Sequence, residues 1–194
     1  MAGYLLILLV QSMPMDEQVI LVDEQDKEIG TEEKLKAHLT GKLHRCFSIF
    51  IFNKEGEFLL QKRAKGKYHS GGLWSNACCG HPRPGEDTKA AAERRLKEEM
   101  GFDCALQESF VFTYKADLDR NIIEHEIDHV FFGMSDKLPV INLDEVASFK
   151  YVDLETLTKD IEVNPNAYTP WLRISLDQVI AHASTAKTKN GHTA

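Results

Sequence analysis

A chain of 194 residues, 43% hydrophobic and 27% charged, is large enough for one domain that buries about 70% of the surface its unfolded form exposes, with no staple needed. A net charge of −7 argues against a nucleic-acid partner, which needs a basic footprint, while leaving room for a local basic cluster around a small anion. Cys46, Cys78, Cys79 and Cys104 lack zinc-knuckle spacing and follow no signal peptide, which predicts a reduced, cytoplasmic setting; the apolar run from Tyr4 to Val10 is far short of the about 18–20 residues of a membrane span, so no membrane partner is expected.

In chain order, residues 1–15 read as an N-terminal extension, with Met13 or Met15 as possible starts and a buried edge segment as the alternative; 16–183 read as one domain and 184–194 as a flexible tail. Val19 to Val22 is strand-like and Asp23 to Gly30 turn-like. Thr31, Glu33 and Lys34 open a short helix through Leu39 that Gly41 ends. His38 lies near that end and His44 follows six residues later. On a continuous helix the two imidazoles would stand about 120° apart, so a shared metal requires the helix to stop between them.

Cys46 to Phe52, a turn at Asn53 to Glu57, and Phe58 to Gln61 form a hairpin. Lys62, Arg63, Lys65 and Lys67 follow. Placed directly before a Cys-Gly-His loop and a phosphate-type helix, they suit a diphosphate clamp better than a solvated loop. Asp87 or Thr88 caps a helix running to Met100, with Ala92, Leu96 and Met100 inward and Gly101 as the stop. Arg94–Glu98 and Arg95–Glu99 are i,i+4 pairs; the first reads as a structural salt bridge and the second as facing a ligand.

Phe110 to Lys115 is a strand, Ala116 to Asn121 an acidic turn and Ile122 to Phe132 a longer strand. Within it, His125-Glu126-Ile127-Asp128-His129 matches the zinc-peptidase pattern His-Glu-x-x-His, which requires a helix. The segment is rich in Ile, Val and Phe, so strand wins, and Glu124 and Glu126 point together. Ser148 to Val152 is another strand. Asp153 caps a short helix to Asp160, and Thr169-Pro170 starts a helix to about Ala183 with Trp171 at its mouth, either in the core or walling a pocket.

Gly80, Glu86, Arg94, Leu96, Glu98, Glu99, Gly101 and Phe102 are spaced in a way that resembles the Nudix box, the loop-helix motif that holds metal and diphosphate. Arg95 departs from it, standing where Nudix hydrolases carry the first Glu of the Arg-Glu-aliphatic-x-Glu-Glu run. With His38 and His44 before an Arg-Cys-Phe-Ser strand, the Trp-Ser-Asn-Ala-Cys-Cys-Gly-His-Pro loop, Glu124-His125-Glu126 and Tyr168-Thr169-Pro170-Trp171, the chain from Val19 to Ala183 resembles the type 1 isopentenyl diphosphate isomerases.

That resemblance implies a single compact α/β (α+β) domain of Nudix-like fold, mixed β-sheets flanked by helices. It implies that His38, His44, His81, Glu124 and Glu126 ligate one divalent metal; three imidazoles and two carboxylates suit Mg²⁺, Mn²⁺ or Zn²⁺. It implies Cys79 and Glu126 as the catalytic pair on opposite substrate faces, assisted by Tyr114, with Trp171, or secondarily Trp74, shielding a carbocation. The diphosphate would meet Lys34, Arg63, Lys67 and Arg95, with a second Mg²⁺ on Glu99. The substrates implied are isopentenyl and dimethylallyl diphosphate, and a monomer or weak homo-oligomer is expected. A Nudix diphosphate hydrolase is the alternative.

Overall fold

The structure, a computed structural model, describes residues 17–190, with side chains to residue 183. The expected extension over 1–15 lies outside the described residues. Nine strands form one mixed sheet: β1 (Gln18–Val22), β2 (Glu28–Glu33), β3 (His44–Phe52), β4 (Phe58–Arg63), β5 (Trp74–Ser75), β6 (Cys78–Gly80), β7 (Leu106–Asp117), β8 (Ile123–Met134) and β9 (Val146–Val152). Among the described residues four α-helices accompany them: α1 (Lys34–Thr40), α2 (Thr88–Met100), α3 (Leu154–Val163) and α4 (Pro170–Asn190).

Strand β3 organises the sheet. One of its edges pairs in parallel with β8 from His44↔Glu126 to Phe52↔Met134. Its other edge is divided among three antiparallel partners: β1 at Leu21↔His44, β6 at Phe47↔Gly80 to Ile49↔Cys78, and β4 at Phe52↔Phe58. The expected hairpin between β3 and β4 therefore touches only at its closed end. Past Phe58, β4 leaves to pair with β5 and β9, and the gap this opens along β3 is filled by the Cys78–Gly80 segment.

Side chains alternate across a strand, so β3 feeds two cores. Phe47, Ile49 and Ile51 face α2, packing with Ala91, Ala92, Leu96 and Met100. Phe50 and Phe52 face α4, packing with Leu172, Leu176 and Val179. Asp87 caps α2 by accepting from the Ala90 N–H, and Gly101 ends it at φ 76°. A Cβ at Gly101 would lie 2.3 Å from the Val140 carbonyl oxygen, so both the backbone and the packing require glycine there.

Three local expectations need correction. Thr31 belongs to β2, and α1 starts at Lys34 with the Glu33 side chain accepting from the Leu35 and Lys36 N–H groups. Residues 28–30, expected in a turn, extend into the same strand, which pairs with β1. Helix α4 continues to Asn190, past its expected end near Ala183. The His-Glu-x-x-His segment is strand, as its composition required.

Candidate metal centre and catalytic pocket

Gly41, in the left-handed region at φ 62°, closes α1 just after His38, and β3 begins at His44. The helix thus stops between the two histidines, and their rings meet edge to face with centroids 4.7 Å apart. His81, from the loop after β6, joins them with ring centroids 5.4 Å from His38 and 5.0 Å from His44. Glu126 enters from β8, where its pairing with His44 sets both side chains on one face. One donor atom each from His38, His44, His81 and Glu126 lies within 4.8 Å of the others.

The electrostatics of this cluster fit a divalent cation. The Lys34 carbonyl oxygen lies 2.7 Å from His38 Nδ1 and the Lys42 carbonyl oxygen 2.8 Å from His44 Nδ1. A carbonyl only accepts, so Nδ1 carries the proton in both rings and Nε2 turns a lone pair inward. His44 Nε2 is buried without a hydrogen-bond partner, 3.2 Å from Glu126 Oε1. Burial alone would raise Glu126, yet the ring nitrogens of His44 and His81 around it hold its carboxyl well below the usual range. The positive charge this demands comes either from protonated imidazoles or from a metal ion. Protons are the costly choice, because burial and the neighbouring histidines push His38 down to about 3, and burial pushes His81 down as well.

Glu124, expected as the fifth ligand, stands slightly apart. Its donor atom groups with those of His38 and His69 instead. The Tyr114 hydroxyl joins the two carboxylates, 2.8 Å from Glu124 Oε2 and in a shorter contact with Glu126 Oε2. Burial and the charge of Glu126 push Glu124 well above the usual carboxylate range, and burial with both glutamates does the same to Tyr114. Glu124 and Tyr114 therefore both stay protonated beside an ionised Glu126. His125 and His129 point to the other face, His125 to the Gly41 carbonyl and His129 to Glu108 and Asp26.

Cys79 pairs with Ser48, so its side chain shares the face of Ser48, Cys46 and His44, while Cys78 faces the α2 core. Register alone thus selects one of two adjacent thiols. Cys79 packs with Cys46, Tyr114 and Trp171. Burial pushes its thiol up to about 12, with Arg63 opposing, so it rests protonated. Arg63 Nη1 lies 3.9 Å from Cys79 Sγ, and the guanidinium sits 5.2 Å from the Trp171 ring centroid. Trp171 Nε1 donates to Ser75 Oγ at 3.0 Å and Asn76 Oδ1 at 3.1 Å, which fixes the indole face toward this pocket. Trp74, the second aromatic expected there, packs instead against the α4 core, with Lys150 Nζ 4.5 Å from its ring centroid.

The other expected diphosphate residues are held by carboxylates. Lys34 pairs with Glu17 at 3.0 Å. Lys67 pairs with Glu145, and Arg95 meets Glu99, Glu98 at 2.7 Å and Glu145 at 3.1 Å. Glu99 also accepts from Gln61 Nε2 at 3.0 Å. Arg94 pairs with Glu98, as read, but its shorter contacts are two bonds to Glu86 at 2.7 and 2.8 Å. Sequence reasoning missed Glu17, His69 and Glu145. None carries a periodic signal, and each acts through contacts more than fifteen residues away in the chain.

The NUDIX domain family model matches residues 42–172. Isopentenyl-diphosphate Delta-isomerase 2 of Aromatoleum aromaticum is 53% identical over 167 residues, spanning 86% of this chain and 88% of that protein. Isopentenyl-diphosphate Delta-isomerase of Pectobacterium atrosepticum is 50% identical over 167 residues, spanning 86% and 93%. Among solved structures, DR0079 from Deinococcus radiodurans superposes with a TM-score of 0.69 at 18% identity, covering 84% of this chain and 98% of that one. The MutT protein from Methanosarcina mazei Go1 gives 0.58 at 20% identity, covering 70% and 91%. At those identities the structural likeness is one of fold.

Proposed function

The chain belongs to the NUDIX family and, within it, to the isopentenyl-diphosphate Delta-isomerases, and from that membership we infer that it interconverts isopentenyl and dimethylallyl diphosphate. The reaction adds a proton to the terminal methylene carbon and removes one from the carbon next to the phosphate-bearing carbon. One double bond moves, and no atom is gained or lost overall.

The observation that carries this reading is the shared packing of Cys79 with Tyr114 and Trp171, which sets a thiol and a carboxylate-bound phenol around one space. Two proton-transfer groups from different strands suit a reaction with one proton entering and another leaving on opposite faces. One member of the pair must give a proton to the carbon skeleton while the other takes one away: the Cys79 thiol rests protonated, and Glu126, held by Tyr114, rests ionised, so one is ready to donate and the other to accept. Trp171 presents a π face to the developing positive charge, an attraction of about 0.5–2 kcal/mol, and offers no atom that would trap it.

When bound among His38, His44, His81 and Glu126, with Glu124 adjoining, a divalent cation neutralises buried carboxylate charge and fixes Glu126; Mg²⁺, Mn²⁺ and Zn²⁺ all suit these donors. Lys34, Lys67 and Arg95 would receive the diphosphate in exchange for their present carboxylate partners, together with Arg63, which among the described residues has no carboxylate to give up, and Glu99 would serve a second Mg²⁺ arriving with the diphosphate. We read the protein as a cytoplasmic enzyme of small molecules. The hydrolase alternative is weakened by Arg95, whose ion pairs with Glu98, Glu99 and Glu145 occupy the helix position where a hydrolase needs a carboxylate.

The test is incubation of isopentenyl diphosphate with the Mg²⁺-supplied protein in heavy water. Dimethylallyl diphosphate carrying deuterium in a methyl group is the expected product. Release of inorganic phosphate or diphosphate with no deuterium in the carbon skeleton would sink the reading in favour of hydrolysis.

A further inference from the structure

His69 lies in the loop between β4 and β5, is 5% exposed, and belongs to neither the Nudix motif nor the expected ligand set. Its Nε2 stands 3.5 Å from Glu124 Oε1. The other oxygen of that carboxylate, Oε2, already accepts from Tyr114. His69 Nδ1 lies 3.3 Å from Ser70 Oγ, a hydroxyl able to donate to it and so leave the ring proton on Nε2, aimed at Glu124.

The loop is built to hold this ring. Ser70 adopts φ 52°, a left-handed conformation uncommon outside glycine. A Cβ on the next residue, Gly71, would stand 2.7 Å from the Lys65 carbonyl oxygen, so the chain turns here with no room to spare. Arg63 Nη2 donates to the His69 carbonyl at 3.3 Å. The ring edge meets Tyr68 and Trp171 with centroids 4.2 and 5.9 Å away. Backbone strain persists where the surroundings over-determine it, and such positions concentrate at functional sites.

His38, His69 and Glu124 bring their donor atoms within 4.8 Å of one another, which resembles a second cation seat. His38 rules that out. Its Nδ1 is committed to the Lys34 carbonyl, and its Nε2 has a single lone pair that can serve one cation only; His44, His81 and Glu126 offer that cation the larger donor set. His69 must then act through Glu124. We propose that His69 is a positioning residue whose Nε2–H, facing Glu124 Oε1 across 3.5 Å, restrains that carboxylate, aiming one oxygen at the metal centre while Tyr114 holds the other. The proposal rests on the cation site of the function proposed above, but not on the double-bond chemistry.

The test uses chelator-stripped full-length protein titrated with Mn²⁺ against a chromophoric chelator, in wild type and in His69→Leu, His69→Ala and His69→Gln. Leu and Ala remove the N–H at two different volumes; Gln restores a donor. Loss of an outer partner of a metal ligand weakens metal binding by about 10–100-fold, and that loss is expected in both apolar variants with most of it regained in Gln. At saturating metal, kcat should fall in the apolar variants while KM for isopentenyl diphosphate stays within about twofold, since no diphosphate contact changes. Wild-type metal affinity in either folded apolar variant overturns the proposal. So does a Gln variant as weak as Leu and Ala, which would assign the role to ring packing against Tyr68 and Trp171. Because the titration contains no substrate, a chain that moves no double bond but shows this pattern would overturn the isomerase reading and leave His69's role intact.

Discussion

Glu145 sits between Lys67 and Arg95 at the start of the segment leading into β9, and its removal gives a prediction that can be worked through from the structure. Burial alone would raise its carboxyl, but the two cations hold it at about 2 instead of its ordinary 4.5. A carboxyl whose folded value lies below its unfolded value stabilises the fold fully above the unfolded value and loses that contribution as pH falls toward the folded one. The window is therefore about pH 4.5 down to pH 2. Each pH unit is worth about 1.4 kcal/mol, which sets a ceiling of about 3 kcal/mol. The side chain is 24% exposed, and screening reduces the expected contribution to about 1–2 kcal/mol. Glu145→Gln should lose that amount in urea unfolding, followed by tryptophan fluorescence at pH 7, and the deficit should shrink steadily as the titration is repeated at lower pH toward 3. A deficit of equal size at pH 7 and pH 3 would refute the ion-pair account and assign the effect to packing.

Three further substitutions test the site and the scaffold. Glu126→Gln should lower kcat by about 10²–10⁴-fold, the usual share of a positioned proton-transfer group, while Glu98→Gln, on an exposed helix face beside Arg94 and Arg95, should stay within a few fold; equal losses would mean that Glu126 does not face the pocket. Leu96→Ala, at a fully buried position in the α2 core, should cost about 2–5 kcal/mol and lower the urea midpoint without changing the slope.

The elements with strong local signals were readable in advance. Helix α2 has a capping Asp87, an inward stripe and a terminal glycine within fifteen residues, and β3 and β8 carry the β-branched and aromatic runs Ile-Phe-Ile-Phe and Val-Phe-Phe in their second halves. Alternation in β8 was enough to place Glu124 and Glu126 together and to turn His125 and His129 away. Strand β2 escaped notice because its sequence, Glu-Ile-Gly-Thr-Glu-Glu, is mostly exposed, and pairing with β1 defines it instead of burial. The strands β5 and β6 span two and three residues, too short for any period to show. The resemblance ranks Trp171 ahead of Trp74, and the structure supplies the physical reason, the indole bonds to Ser75 and Asn76 that turn the Trp171 ring toward the thiol. Glu17, His69 and Glu145 were invisible because charge pairing across the chain has no sequence period.

The parallel pairing of β3 with β8 also bears on how the molecule comes to be finished. His44 and Glu126 are aligned partners separated by some eighty residues of chain, and closing so long a loop is slow compared with forming a helix or a hairpin. The histidines of α1 and β3 and the Cys79 strand can be in hand while the chain is still being made, but the carboxylate they surround arrives only when β8 docks. A divalent ion held there, as proposed above, would tie β8 to α1 and β3 and make metal affinity a report on whether that strand has docked.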